Sequence, residues 1–409
     1  YIIIQDSNDF KKVKEGTYIL LSFHYLKKCK REIKNLIRTS GNNVGLLFDE
    51  SDEITNHTSA VTKNVLALFR RAKRKLLTTG TTTRNNISEI YPQFELLFNN
   101  GYNLVNYCEE EFREKKDSET KEVKIISGDN PNYLKPFTAR GGNSQFKRCF
   151  NPSKTTVFGV KKHNQKLYNA DQITRLIGST IVTRKFREIA GDKYNVSNVN
   201  IAQHHGEKLV YKKIIKEFST MVGYFYESTG NSKKDAMLNI IRQIQLLIKA
   251  TSTPQNFPEY SGGIPNKAKK IIEIIGNNPT EKIAIGCTSL DAVNYYMGIL
   301  QTNFPDRPIF EVTGGDSVKR RGGITGKFED TENGLMVCTQ QSLKSSLNIP
   351  SCNRVIIESL QWNIPKIEQF YFRFIRYDST DKTEVTFVNY ENTIEVNLLA
   401  LLMSKERIN

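Results

Sequence analysis

The chain has 409 residues, of which 38% are hydrophobic and 25% charged, and its 59 Lys and Arg against 43 Asp and Glu give a formal charge of +16. That length calls for two or three domains, and the ordinary apolar content excludes a disordered or fibrous chain; no apolar run approaches the roughly 18 residues of a membrane span. The cationic excess suits a polyanionic partner such as nucleic acid, although a low-GC coding sequence rich in Lys, Asn and Ile produces the same balance.

The six cysteines (Cys29, Cys108, Cys149, Cys287, Cys338, Cys352) have no Cys-x-x-Cys spacing and no His partner, which argues against structural zinc and fits a reducing cytosol. His204-His205 reads as a surface pair. The chain opens on Tyr1, directly into Ile2-Ile3-Ile4 and with no basic-then-apolar leader, and so reads as a fragment of a longer protein.

In chain order, Tyr18 to Ser22 reads as a strand, His24 to Ile37 as a basic helix, and Leu46 to Phe48 as a strand that runs into Asp49-Glu50. Val61, Val65, Leu68 and Phe69 have helical spacing, and Lys75 to Thr78 is a short strand that stops at a hydroxyl-rich loop. Strand, helix, strand at these intervals means βαβ units and a parallel sheet. From Gly101 to about Ala170 the pattern weakens, and the segment reads as an insertion or irregular stretch. Helical spacing returns at Lys208 to Phe218 and at Lys233 to Lys249, and Pro254 to Pro265 reads as a linker.

A second α/β region comes next. Helices are predicted over Lys267 to Ile275, Leu290 to Leu300 and Ile394 to Met403. Strands are predicted over Lys282 to Gly286, Ile309 to Val312, Leu335 to Cys338, Arg354 to Ile357 and Val385 to Val388. The division expected is a first lobe over 1–100, an insertion and helical linker over 101–260, and a second lobe over 261–409.

Chemistry concentrates at Leu46 to Asn56, LLFDESDEITN. A buried parallel strand delivers its polar residues at the carboxyl end, where ligands of such sheets collect, so Asp49 and Glu50 leave the core together. Gln369, Arg373 and Arg376 are spaced by four and three, which predicts one face of a helix. Lys319-Arg320-Arg321 is a basic run that fits a phosphate patch or a solvated face.

Five short stretches in this order, DESD (49–52), TTGTTTRNN (78–86), SLNIP (346–350), QWNIP (361–365) and QFYFRFIR (369–376), resemble the motor of superfamily-two (DEAD/DEAH-type) helicases, in its Swi/Snf-like branch. The resemblance implies an α/β fold of two RecA-like parallel-sheet lobes, the first truncated at its N-terminus, that hydrolyses ATP between them. It implies that Asp49 holds Mg²⁺, usually through water, that Glu50 polarises the attacking water, and that Gln369, Arg373 and Arg376 work on the phosphates from the second lobe. Gly80, Thr81 and Thr82 match the Thr-Gly-Thr-Pro coupling element, with Thr82 where Pro is usual. Asp52 stands where the family often has His, and Lys344, Ser345 and Ser346 stand where it often has glycines.

Thr339, Asn348 and Trp362 fall in elements that meet the nucleic acid, and Asn85 continues the coupling motif. Ser22, Thr288 and Ser289 end strands and offer hydroxyls for phosphate contacts that carry no sequence information. The cofactors implied are ATP and Mg²⁺, and the partner is nucleic acid, with duplex DNA favoured over RNA and no membrane. The composition resembles phage or mobile-element members, acting in the cytoplasm of a bacterial or infected cell.

The motor also needs Gly-x-x-x-x-Gly-Lys-Ser/Thr, whose backbone N–H groups and Lys cradle the phosphates. The nearest match, Gly322 to Phe328, has the wrong glycine spacing and Phe in place of the hydroxyl. The phosphate loop is therefore expected upstream of Tyr1, and the 409 residues alone are expected to be inactive. Two other readings stay open: a non-catalytic nucleic-acid-binding module, and an RNA helicase or viral transcription-associated ATPase.

Overall fold

The computed structural model describes the chain except for residues 41–42, 81–85, 99–106, 117–122, 136–141, 156–160, 164–165, 185, 344–346, 362–363, 377–378, 380–381 and 407–409. Two units form, Tyr1–Thr183 and Arg184–Asn409.

In the first unit, β1 (Ile2–Ile4) pairs in parallel with β2 (Ile19–Leu21), which leads into α1 (Phe23–Leu26) and α2 (Lys30–Thr39). β3 (Gly45–Phe48), α3 (Ala60–Phe69) and β4 (Arg74–Leu77) form the expected βαβ unit, with β3 and β4 parallel and Phe48 opposite Leu77. Ser59 starts α3 by accepting the Thr62 N–H at 3.1 Å. Lys75 ties two helices to β4, donating to the Arg70 carbonyl at 2.7 Å and the Leu97 carbonyl at 3.1 Å. Burial brings its ammonium down to about 8. Ile4, Leu26, Phe48, Ile54 and Val65 fill one side of these strands, while Ile3, Leu20, Leu47 and Leu76 are exposed.

After α4 (Tyr91–Phe98), the stretch expected to be irregular is built around a second core. β5 (Glu110–Lys116) and β6 (Val123–Asp129) make an antiparallel hairpin, followed by α5 (Gly142–Phe150), the short pair β7 (Ser153–Thr155) and β8 (Lys161–His163), and α6 (Ala170–Thr180). Phe94, Cys108, Phe146, Phe150 and Ile173 bury together here. Weak periodicity hid this because the apolar anchors are few and widely spaced, and the hairpin strands are mostly charged.

The second unit begins with α7 (Phe186–Ala190) and β9 (Tyr194–Ile201), then the helical pair α8 (His205–Glu227) and α9 (Gly230–Ser252). Next come α10 (Asn266–Gly276), β10 (Ile283–Cys287), α11 (Leu290–Asn303), β11 (Ile309–Val312), α12 (Val318–Glu329), β12 (Leu335–Thr339), β13 (Arg354–Ile357), α13 (Ile364–Tyr371), β14 (Thr383–Tyr390) and α14 (Ile394–Glu406). The strands form one six-stranded, wholly parallel sheet in the order β11-β12-β10-β13-β14-β9. Helices cover it, and β10 is buried along its whole length, as a parallel strand must be. Gly286 permits the packing on one face, since a Cβ there would sit 2.4 Å from the Phe370 ring.

Three expectations change. The sheet takes its outer strand from β9, inside the stretch assigned to the linker, and the compact units meet at Thr183 and Arg184. The Asn- and Ser-rich sequence of β9 (YNVSNVNI) carries little strand signal, but an edge strand needs only one good neighbour. The Pro254 to Pro265 stretch is packed, with Pro254 buried and the Tyr260 hydroxyl donating to the Gly263 carbonyl at 2.8 Å. His204 is an N-cap as well as a surface residue: its Nδ1 accepts the Gly206 N–H at 3.0 Å, and its Nε2 lies 3.0 Å from the Tyr260 hydroxyl.

Behind β14 lies a buried ion cluster. Lys267, 1% exposed, donates to Glu395 Oε1 at 2.6 Å and to the Glu358 carbonyl at 2.9 Å. The first N–H groups of α10 are satisfied there too: Asn266 donates to Glu207 at 2.7 Å and Lys267 to the Tyr390 hydroxyl at 3.0 Å. Lys267→Ala strands Glu395 without its cation and is expected to cost about 3–5 kcal/mol in denaturant unfolding; a loss below about 1 kcal/mol contradicts this role. Burial raises the Glu358 and Glu395 carboxyls above their ordinary 4.5. The folded state therefore holds protons that the unfolded state releases, and stability falls as pH rises through the window above 4.5. Unfolding midpoints measured from pH 4 to 7 check the sign.

Candidate active site

The carboxyl ends of β3 and β4 lie side by side, and the residues just past each end are tied to one another. The Thr78 N–H donates to the Phe48 carbonyl at 2.9 Å, and the Ser51 N–H returns to the Thr78 carbonyl at 2.9 Å. Asp49 Oδ1 accepts from the Thr78 hydroxyl at 2.8 Å and from the Glu50 N–H at 3.0 Å. Asp52, 2% exposed, accepts from the Thr79 hydroxyl at 3.0 Å, and the buried Ser51 hydroxyl donates to Gln93 on α4 at 3.2 Å. Both donors to Asp49 converge on Oδ1, which makes Oδ2 of this exposed side chain the oxygen a cation would take.

Glu50 sits at φ 51° and ψ 50°, the left-handed region, and the chain turns there into a 3₁₀ helix over Ser51–Ile54. For a residue with a Cβ that conformation costs roughly 1–2 kcal/mol, and it turns the chain sharply at the strand end. Among the described residues no cluster of three or more His, Cys, Asp or Glu side chains could cage a metal ion. A Mg²⁺ contact through one carboxylate, completed by water and phosphate oxygens, needs no such cage, and Asp49 fits it.

In the second unit, the carboxyl edge of the sheet gathers a separate polar set. Buried Gln340, just past β12, donates to the Gly286 carbonyl at 3.1 Å and the Ser359 carbonyl at 2.8 Å, and accepts from Gln361 at 3.0 Å. Thr288 and Ser359 share a hydroxyl contact at 2.9 Å, while the Ser289 hydroxyl caps α11 through the Ala292 N–H at 3.2 Å. Thr339 offers its carbonyl to the Ser342 hydroxyl at 2.7 Å. Asn348 is exposed, and its neighbour Ile349 donates its N–H to the Arg373 carbonyl at 2.9 Å, which joins the SLNIP loop to the arginine segment.

The expected helical face of Gln369, Arg373 and Arg376 is not formed. α13 ends at Tyr371, the bonds from the Arg373 and Phe374 N–H groups tighten to the residues three back, and both arginines lie beyond the helix. Phe370, Tyr371, Phe374 and Ile375 stay buried through this change, so the core holds the segment on both sides of the helix end. Gln369 alone of the three lies on α13, and the half-buried Arg376 donates its N–H to the Ser379 hydroxyl at 3.1 Å.

Ser22 is exposed at the start of α1, with no side-chain capping bond. Gly80 is exposed, and a Cβ there would meet nothing within 4 Å. Thr81, Thr82, Asn85 and Trp362 lie outside the described residues. The phosphate-loop lookalike from Gly322 to Phe328 lies inside α12, where the backbone N–H groups serve the helix. Of the basic run beside it, Arg320 pairs with Asp316 at 3.1 Å and Arg321 with the Ser342 carbonyl. Sequence reading missed Thr78 and Thr79 as partners of Asp49 and Asp52 and Gln340 as the bridge across three strand ends. A polar residue just past an apolar run was the available signal for Thr78 and Gln340.

A family description of the SNF2-related domain matches residues 4–252, more than half of the chain. The chain belongs to the SNF2-related family. The description of the helicase conserved C-terminal domain matches residues 266–378. No curated protein matches the chain. Among solved structures, it is similar to the Sulfolobus solfataricus SWI2/SNF2 ATPase core in complex with dsDNA, at 18% identity and TM-score 0.43, covering 97% of this chain and 74% of that one. It is also similar to the C-terminal part of the Fun30 ATPase domain, at 14% identity and TM-score 0.42, covering 52% and 89%. A third match is domain 2 of the Mss116p DEAD-box helicase bound to an RNA duplex, at 17% identity and TM-score 0.30, covering 34% and 56%. Membership places this SNF2-related chain among the ATP-hydrolysing superfamily-two proteins. Among the described residues no helix is long and apolar enough to cross a membrane.

The left-handed Glu50 yields a test that needs no substrate. Glu50→Gly relieves roughly 1–2 kcal/mol of backbone strain and gives back up to about 1 kcal/mol through the looser unfolded chain, so the protein is expected to be as stable as the parent or slightly more so. Thermal unfolding reads this; a clear loss of stability means that the strain is not there.

Proposed function

We propose that this SNF2-related chain belongs to an ATP-driven motor that moves along double-stranded DNA without separating its strands. The observation that carries the reading is the Asp49 carboxylate, held by Thr78 at the open end of two parallel strands, next to Glu50. Phosphoryl transfer needs a metal against the phosphate oxygens and a group that orients the attacking water, and these two side chains match those tasks. Asp49 would hold Mg²⁺, which would supply charge neutralisation at the phosphate oxygens. Glu50 accepts a hydrogen bond from the attacking water and orients it.

Arg373 and Arg376 meet the charge that develops on the transferred group, a contribution of ~10³–10⁵ in rate for such arginines, with Gln369 beside them. The Asp49–Thr78 and Asp52–Thr79 hydrogen bonds let a change at the acidic pair pull on the loop carrying Gly80, Thr81 and Thr82, which is how we read the coupling element. Ser22, Asn85, Thr288, Ser289, Thr339, Asn348 and Trp362 serve the nucleic acid. The formal charge of +16 favours a phosphate backbone as partner, and the QWNIP stretch resembles the turn of duplex-tracking motors.

The 409 residues contain no Gly-x-x-x-x-Gly-Lys-Ser/Thr. The chain by itself is therefore expected to bind duplex DNA in a salt-dependent manner and to show no DNA-stimulated ATP turnover; appreciable turnover removes this part of the reading. In the gene product expressed from its own start codon, Glu50→Gln is expected to abolish hydrolysis with duplex binding unchanged. Continued turnover displaces Glu50 from its role, and stronger stimulation by RNA than by duplex DNA replaces the DNA motor with an RNA helicase.

A further inference from the structure

Beyond the motor residues, we propose that the insertion in the first unit carries its own binding site for a nucleic-acid backbone phosphodiester, in a cavity between β5 and α5. The inference rests on the nucleic-acid reading above, but on residues that reading does not use.

The cavity measures about 420 Å³ and presents Arg113, Lys147 and Arg148. Behind it Glu111, 3% exposed, fixes both guanidiniums: it accepts from Arg113 through Nε at 2.6 Å and also through Nη2, and from Arg148 Nε at 2.8 Å. An arginine has five N–H donors in a rigid fork, so anchoring along its Nε edge aims the opposite Nη1 donors without consuming them. One carboxylate holding two arginines is more cation than the fold needs to bury Glu111.

Charge and shape narrow the ligand. Glu114 also lines the cavity, so three cations against Glu111 and Glu114 leave one positive charge, which matches the single charge of a phosphodiester better than a dianionic monoester. The hydroxyls of Ser144 and Ser153 are further donors, and Phe112 and Pro152 give an apolar wall of the kind a sugar lies against. The volume falls in the range of about 300–1,000 Å³ typical of small-molecule sites, room for a phosphate with its sugar.

The surroundings point the same way. Residues 142–183 hold seven Lys and Arg against one Asp. In the hairpin, exposed Lys115 lies directly opposite exposed Lys124. Like charges paired across strands destabilise a hairpin, an arrangement that a polyanion lying along it would relieve.

The test is equilibrium binding of a labelled DNA duplex to the 409-residue chain across a salt series, for the parent, Lys147→Glu, Lys115→Glu and Lys12→Glu. Lys12 pairs with Asp9 on the exposed start of the chain and makes the same charge change outside the insertion. Lys147→Glu and Lys115→Glu are expected to weaken binding about 5- to 10-fold and to lower the salt slope by about one each, with unchanged thermal unfolding. Lys12→Glu is expected to bind as the parent does. Equal losses for all three variants, or parental binding by Lys147→Glu, overturn the site and leave the motor reading standing. A parent chain that binds no nucleic acid overturns both. Specific competition by millimolar inorganic phosphate, beyond that of chloride at equal ionic strength, shows a free-phosphate site and overturns the backbone assignment.

Discussion

A parallel strand keeps its buried face apolar, so a polar side chain on that face finds a place only at the strand's end. This constraint organises the molecule. In the first unit it puts Asp49, Glu50, Thr78 and Thr79 at one edge, where hydrogen bonds between neighbouring strand ends hold the carboxylates. In the second it puts Thr288, Gln340, Ser359 and Gln361 at another, bridged by the Gln340 amide. Neither set depends on a conformational choice made far away; each is dictated by where a run of Leu, Ile and Val stops.

The buried cluster around Lys267 is the counterpart on the structural side. The helices that cover the second sheet must end and begin against it, and their terminal N–H groups need partners. Glu207 and Tyr390 supply these, Glu395 accepts the Tyr390 N–H at the end of β14, and Lys267 offsets part of the negative charge this brings inside. The carboxyls that burial raises are the cost of seating α8, α10 and α14 on one sheet, and they make the second unit sensitive to pH.

Much of this was legible in the residues. β11 and β13 have the bounds that the apolar runs predicted, and the acidic pair does come directly after a parallel strand. Three features were not legible, each for a physical reason. β9 is polar on an edge, so its membership in the sheet is decided by β14 and not by its own side chains. The insertion folds on a handful of aromatic anchors too sparse to give a period. The arginine segment has helical spacing, yet its backbone bonds tighten from four residues back to three after Tyr371, which ends the helix before the arginines. Spacing counts positions; packing decides whether a helix exists to use them. Thr78 and Thr79 were within the quoted motif, but only the register of β3 against β4 shows that they face the acids.

The central claim is that the acidic pair and the arginines of the second unit act on one phosphoryl transfer. The most direct test is a double-mutant cycle on duplex-stimulated ATP turnover by the gene product expressed from its own start codon, with Asp49→Asn, Arg376→Ala and the pair together. Groups serving one transition state are strongly non-additive, so each single change is expected to lower the rate by ~10³ or more and the double to fall little below the worse single. Losses that multiply, or an Arg376→Ala protein that turns over ATP like the parent, contradict the account.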